Sequence, residues 1–230
     1  MLRVSSVRRA TPASRVVRVA LGGVPFDYAA GQLAAIGPPD GPQRVPYSIA
    51  SAPEDTARDG HLEFLTKIDA SGRWGAHFPP LRRGAMVAVR GPSGSFVFPP
   101  HPRERRFLFI AGGTGIAPLR SMIRHASLSG ISGTLRLLYS ARTPNDFAYL
   151  ADLRAMARRG EVDLALSSTR EVPPRWRGDR GRIVPAQLAR LLEHPETLCF
   201  VCGPAAMVAD VPPMLEALGV ERTRIRLEDW

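Results

Sequence analysis

The sequence predicts two domains of different class, an all-β half followed by an α/β half built on a parallel sheet. Three observations predict it. Residues 1–98 carry short apolar-alternating runs broken by turn clusters. The rest alternates short apolar runs with stretches of helical periodicity. Between them Phe98-Pro99-Pro100-His101-Pro102-Arg103 reads as a linker, because three prolines in four residues hold neither a helix nor a central strand.

In the first half the predicted strands are Val16–Leu21, Gln32–Ile36, His61–Ile68 and Met86–Arg90, with turns at Gly22-Gly23 and Pro38-Pro39-Asp40-Gly41. Such strands make a small antiparallel barrel or a sandwich. In the second half the strands are Phe107–Ala111, Leu135–Tyr139, Val162–Leu166, Leu198–Cys202 and Arg224–Leu227. Leu119, Met122, Ile123 and Ala126 mark a first helix, with Pro118 tolerable in its first turn. Phe147, Leu150, Leu153 and Ala157 mark a second, Pro185–Leu192 a third, and a fourth starts near Pro204. Pro212-Pro213 should break or kink that last helix. The expected domains are 1–99 and 103–230.

The 230 residues suit one or two domains, and 44% hydrophobic with 23% charged residues excludes wholesale disorder. No run approaches the roughly 18 apolar residues of a membrane span. The N-terminus has arginines but no apolar core of a secretory signal. Two cysteines make no disulfide scaffold, and a soluble cytoplasmic protein is expected. The net charge is +10, and all basic residues except Lys67 are arginine. Each half carries +5, without a basic tail or run, which argues against a nucleic-acid partner. An acidic protein or a phosphate-bearing cofactor fits better, because the guanidinium fork matches carboxylate and phosphate.

Ligands of an open parallel sheet bind outside the carboxyl ends of its strands. After Phe107–Ala111 comes Gly112-Gly113-Thr114-Gly115-Ile116-Ala117-Pro118, a turn that lets backbone and a helix N-terminus approach a pyrophosphate. It is not the complete dinucleotide fingerprint, since Pro118 holds the third glycine's place, and a plain tight turn would look the same. The next strand ends lead into Ser140-Ala141-Arg142, Ser168-Thr169-Arg170 and Gly203-Pro204. Hydroxyls and arginines thus gather on one rim, as a nucleotide with a pyrophosphate and a further phosphate would require.

Cys199 and Cys202, three apart on a strand, face opposite sides, so neither a disulfide between them nor a zinc site is expected. Cys199 reads as core and Cys202 as a rim residue. The five histidines show no metal motif, and neither a nucleophile elbow nor a P-loop occurs.

Four motifs in order resemble the ferredoxin–NADP reductase family. They are Arg44-Val45-Pro46-Tyr47-Ser48-Ile49-Ala50-Ser51, Gly91-Pro92-Ser93-Gly94-Ser95-Phe96, Gly112 to Pro118, and Cys202-Gly203-Pro204 with Met207. The likeness spans nearly the whole chain and is greatest to bacterial ferredoxin/flavodoxin reductases. It implies an N-terminal flavin-binding antiparallel β-barrel and a C-terminal α/β pyridine-nucleotide domain, with FAD rather than FMN between them. The resemblance puts Tyr47 on the flavin ring, Ser48 near its N5, and Arg44 on its phosphate. It adds Ile49, Phe64, Leu65 and Lys67 beside the ring or ribityl chain, Gly72, Arg73, Trp74 and Gly75 at the diphosphate, and Thr114. Trp230 would cover the other face of the ring and gate nicotinamide entry.

For NAD(P) the resemblance implies Gly113, Thr114, Gly115, Thr169, Cys202, Gly203 and Met207. Cys202, Glu228 and Ser48 would position the nicotinamide. Arg142 and Arg170, with Arg182, could clamp a 2′-phosphate, which favours NADPH over NADH, although Asp146 nearby is the kind of residue an NAD site uses. Two departures stand out. Val45 and Pro46 both separate Arg44 from Tyr47, where the family usually has one residue, so a bulge or another path for Arg44 is expected. Gly75 stands where the family has Ser or Thr.

The implied activity is hydride transfer from NADPH to FAD, then single electrons to an acidic ferredoxin- or flavodoxin-type carrier or an oxygenase partner. Alternatives are a reductase of free flavin and an electron-transfer subunit inactive alone. Sequence leaves the oligomeric state open.

Overall fold

The computed structural model describes residues 1–69, 73–74, 81–170 and 172–229. The chain divides into two compact units, Met1–Phe98 with Arg120–Ser129, and Pro99–Leu119 with Gly130–Trp230.

The first unit contains β1 (Leu2–Thr11), β2 (Ser14–Ala20), β3 (Leu33–Gly37), β4 (Val45–Ser48), helix α1 (Pro53–Asp59), β5 (His61–Lys67) and β6 (Met86–Ser93). The strands form an antiparallel sheet in the order β4-β3-β6-β1-β2-β5. Its edges meet at one bridge, Ile49 with Phe64, beside which the amide of Ala50 donates to the carbonyl of Glu63 at 2.7 Å. The sheet is therefore barrel-like, and among the described residues its closure is limited to that bridge. Alternation builds the core: Val17 lies opposite Phe64, and Val19 opposite both Leu62 and Val4, all buried together. The residues between them, Arg18 and Glu63, take the other face and pair at 3.3 Å.

In the second unit come β7 (Arg106–Gly112), α2 (Ile116–Leu128), β8 (Thr134–Ala141), α3 (Leu150–Arg158), β9 (Asp163–Ser168), β10 (Asp179–Arg180), α4 (Pro185–Leu191), β11 (Leu198–Gly203), α5 (Ala205–Ala217) and β12 (Ile225–Asp229). The first four residues of α2 belong to this unit; from Arg120 onward the helix belongs to the first. The sheet is parallel, ordered β10-β9-β8-β7-β11-β12. Strand order reverses between β7 and β11, which is where such sheets open a ligand crevice. One face packs Leu108, Ile110, Cys199 and Val201 against Val211 and Leu215 of α5. On the opposite face Phe109 stacks on Phe200, with ring centroids 5.3 Å apart.

The break expected at Pro212-Pro213 does not occur: α5 runs from Ala205 to Ala217 through both. The prolines remove the donors for the carbonyls of Val208 and Ala209. Ala209 is exposed and Val208 only half-buried, so water can satisfy the freed groups. No helix among the described residues is long and apolar enough to cross a membrane.

Candidate functional site

In the second unit the rim begins where β7 turns into α2. Gly113 has φ +55°, and a Cβ there would meet nothing within 4 Å, so its outer side is open. Gly112, Gly115 and Gly203 are the reverse case. A Cβ on Gly112 would come within 2.7 Å of Pro204 Cδ, one on Gly115 would collide with the Cys202 carbonyl oxygen, and one on Gly203 would come within 2.5 Å of Met207 Cε. These glycines let the turns after β7 and β11 close on one another at the strand-order reversal, while Gly113 and Thr114 stay at the surface. An open glycine turn running into a helix N-terminus is a cradle of the right chemistry for a diphosphate.

Sequence reasoning missed the group beneath the turn. Tyr139 is fully buried at the end of β8; its hydroxyl donates to the Gly113 carbonyl and accepts from the Ala148 amide. Its ring meets Phe147 edge-on at 4.9 Å, and Phe147 stacks on Trp176 at 5.6 Å. The available signal was a polar-tipped aromatic ending an otherwise apolar buried strand.

The predicted arginines come after three adjacent strands. Arg142 stands directly after β8, Arg170 shortly after β9 and Arg182 shortly after β10, and all three are exposed. Thr169 lies exposed beside them, and the chain continues in parallel pairing, with the Arg170 amide donating to the Arg142 carbonyl at 2.9 Å. Among the described residues none of these three guanidiniums has an acidic partner. Asp146 is held through one oxygen: its Oδ2 accepts from the Thr143 hydroxyl at 2.7 Å and the Thr143 amide at 3.1 Å.

Cys202, buried, lies directly opposite Glu228 of β12 and Ala111 of β7. By alternation it shares the face of Phe200, whereas Cys199 sits in the core on the other face. Neither forms a disulfide. Burial pushes the Cys199 thiol up to about 12, which makes it inert. Among the described residues no three His, Cys, Asp or Glu side chains gather as a metal site would need.

In the first unit the predicted flavin residues cluster around β4 and β5. Arg44 is exposed, its Nη1 donating to the Pro42 carbonyl at 3.3 Å. Of the two alternatives for the extra residue, the bulge is absent: Val45, Pro46, Tyr47 and Ser48 pair in unbroken register with Ile36, Ala35, Ala34 and Leu33. The extra residue is simply one more strand residue, so Arg44 keeps its own path before the strand. Tyr47 is half-buried, stacks on Trp74 at 5.9 Å and donates its hydroxyl to the Trp74 carbonyl at 2.6 Å. Burial raises this phenol to about 12. Ser48 is buried, and Ile49 makes the closing bridge to Phe64.

Phe64 points into the barrel core and is fully buried, so its side chain has no face to offer a ligand. Leu65 lies on the opposite face of β5, and Lys67 ends the strand exposed. The Arg73 amide donates to the Asp69 carboxylate at 2.9 Å. Gly72, Gly75 and Trp230, also predicted, lie outside the described residues.

Two family models match the chain in order: an oxidoreductase FAD-binding domain over residues 3–98 and an oxidoreductase NAD-binding domain over residues 109–212. The ferredoxin–NADP reductase B of Sorangium cellulosum is 33% identical over 204 residues, covering 84% of this chain and 80% of that protein. The chain belongs to the ferredoxin–NADP reductase family. Within that family it is also 28% identical to NADH-cytochrome b5 reductase 1 of Pyricularia oryzae, covering 90% of this chain and 69% of that one. The fold is shared with a ferredoxin NADP+ reductase from Neisseria gonorrhoeae solved with FAD and NADP bound, at a TM-score of 0.81 and 21% identity over 99% of this chain and 97% of that one. As a member of the ferredoxin–NADP reductase family, the protein is an oxidoreductase that binds FAD and NAD(P).

Proposed function

We propose that the protein is an NADPH-dependent reductase that loads FAD and passes single electrons to an acidic ferredoxin- or flavodoxin-type carrier or an oxygenase component in the cytoplasm. The observation that carries the nucleotide choice is the row of exposed arginines at three adjacent strand ends. A ribose diol calls for a carboxylate, and that of Asp146 is held through one oxygen by Thr143; a 2′-phosphate calls for the guanidiniums.

Each residue then has a task. Gly113, Thr114 and Gly115 with the start of α2 hold the dinucleotide diphosphate. Arg142, Thr169, Arg170 and Arg182 hold the 2′-phosphate. Cys202, Gly203, Met207 and Glu228 orient the nicotinamide, and the buried Cys202 also keeps water from it. Arg44, Arg73 and the backbone of Trp74 serve the flavin's phosphate end, Tyr47 its ring, and Ser48 its N5 edge, with the backbone of Ile49 and the residues Leu65 and Lys67 alongside. The side chains of Trp74 and Ile49, like that of Phe64, stay in the barrel core. Bound FAD supplies the conversion of one hydride into two single-electron steps. The +10 net charge favours encounter with an acidic carrier.

The test is steady-state kinetics of Arg142→Ala/Arg170→Ala with a dye acceptor. The KM for NADPH should rise at least about tenfold, since charge-assisted contacts are lost, while that for NADH stays within about twofold. Equal effects on both nucleotides would reject the 2′-phosphate clamp. With an acidic carrier, reduction should slow steeply as salt is raised; a flat response would reject electrostatic docking.

A further inference from the structure

Tyr47 and Ser48 end β4, and beyond the bridge at Ile49 the chain is irregular, with Ala50 and Ser51 both buried. Buried carbonyls need donors. Here the donors are side chains far along the sequence, all within the first unit. Arg120 Nη1 donates to the Ala50 carbonyl at 2.6 Å. The Ser121 hydroxyl, fully buried, donates to the Ser51 carbonyl at 2.7 Å, where the Tyr28 hydroxyl also donates at 2.9 Å. The Ser51 hydroxyl in turn accepts from the Glu63 amide at 3.1 Å.

The arginine is not a surface charge borrowed for the purpose. Its side chain is 11% exposed and lies 3.4 Å from the carboxylate of Glu63, itself 8% exposed. Glu63 is held by Arg18 at 3.3 Å, and its carbonyl accepts from the Ala50 amide. Ala50 is thus fixed at both its amide and its carbonyl, and Arg120 closes the loop between them. On the other side Tyr47 and Ser48 are pinned by pairing with Ala34 and Leu33. The chain carrying the two residues is clamped at both ends, one clamp being β3 and the other the side chains of α2.

We propose that Arg120 and Ser121 are positioning residues for flavin binding, holding the Ala50 and Ser51 carbonyls so that Tyr47 and Ser48 stand where the flavin needs them. This rests on the flavin role proposed for Tyr47 and Ser48. Arg120 and Ser121 are assigned no contact with the cofactor; they act through the backbone of the segment.

The experiment measures FAD leaving the holoprotein after dilution into flavin-free buffer, read by flavin fluorescence, beside thermal unfolding of each variant. Ser121→Ala removes one of two donors to the Ser51 carbonyl and should release FAD about fivefold faster. Arg120→Gln should release it at least tenfold faster, and Arg120→Lys, which keeps the charge, should recover part of that loss. Lowered melting temperatures with wild-type FAD release in Ser121→Ala and Arg120→Lys would overturn the proposal, because a merely structural role predicts that pattern. If Arg120→Gln does not fold, those two milder variants decide it. Wild-type protein that holds no FAD would sink the flavin reading itself, a result distinct from variants that match a flavin-binding wild type.

Discussion

The hydroxyl of Tyr139 donates to the carbonyl of Gly113 at 2.9 Å, joining the floor of β8 to the backbone of the glycine turn. It also accepts from the amide of Ala148 at 3.1 Å, so one group ties the turn after β7 to the loop after β8. Burial raises this phenol well above its ordinary value, so it remains a donor at every physiological pH. Drawing the Gly113 oxygen inward leaves the outer side of the turn open.

Tyr139→Phe keeps the ring packed on Phe147 but leaves the buried Ala148 amide without its acceptor, at a cost of about 1–3 kcal/mol, and unties the Gly113 carbonyl, which keeps only the Ile116 amide. The KM for NADPH should rise roughly three- to tenfold, with FAD content unchanged in the visible spectrum. A lowered melting temperature with wild-type KM would reduce Tyr139 to a stability residue.

How far the sequence reaches depends on how local the determinants are. β7, β8 and β11 are legible because strands buried on both faces read as continuous apolar runs. β1 is not, because its register shifts between Val4 and Ser6 and again between Arg9 and Thr11, so Ser5-Ser6 and Arg8-Arg9 obscure the alternation. α1 has no apolar stripe; it buries Asp55 and Thr56 and is held by tertiary bonds, which no periodicity announces. The rim is legible because connectivity alone places residues at strand ends. Arg120 and Ser121 act on carbonyls 70 positions away, and only the folded chain brings them there.

Asp55 sets the acid limit of the first unit. Burial pushes its carboxyl up, but the Arg124 guanidinium, bonded to both oxygens at 2.5 and 2.6 Å, with the Ala52 amide and the Arg120 charge, holds it below the usual carboxylate value. A carboxyl lowered on folding stabilises fully above its unfolded value of about 4 and loses that contribution as pH falls through the folded value. Wild-type stability should therefore decline as pH drops below about 4. Asp55→Asn should lose roughly 3 kcal/mol at pH 7, because the charge that Arg124 and Arg58 share is removed from a buried pair, and should show a shallower acid limb. Urea unfolding at pH 7 and at several points between about pH 3 and 5 measures both. Parallel pH profiles for the two proteins would refute the assignment.

The glycine turn separates two kinds of constraint that a pair of substitutions can tell apart. At Gly115 a Cβ would collide with the Cys202 carbonyl oxygen and lie 2.8 Å from the Gly203 amide nitrogen, and since both are backbone, β7 and β11 would have to part. Gly115→Ala should therefore lower the melting temperature by several degrees and weaken dinucleotide binding together. At Gly113 a Cβ meets nothing, and the cost is only that of φ +55° for a residue with a side chain, about 1–2 kcal/mol. If the open side of Gly113 faces the diphosphate, Gly113→Ala should raise the KM for NADPH far more than its small loss of stability explains, because the new methyl occupies the place of a phosphate oxygen. Wild-type KM in Gly113→Ala would mean that the diphosphate lies elsewhere on the rim.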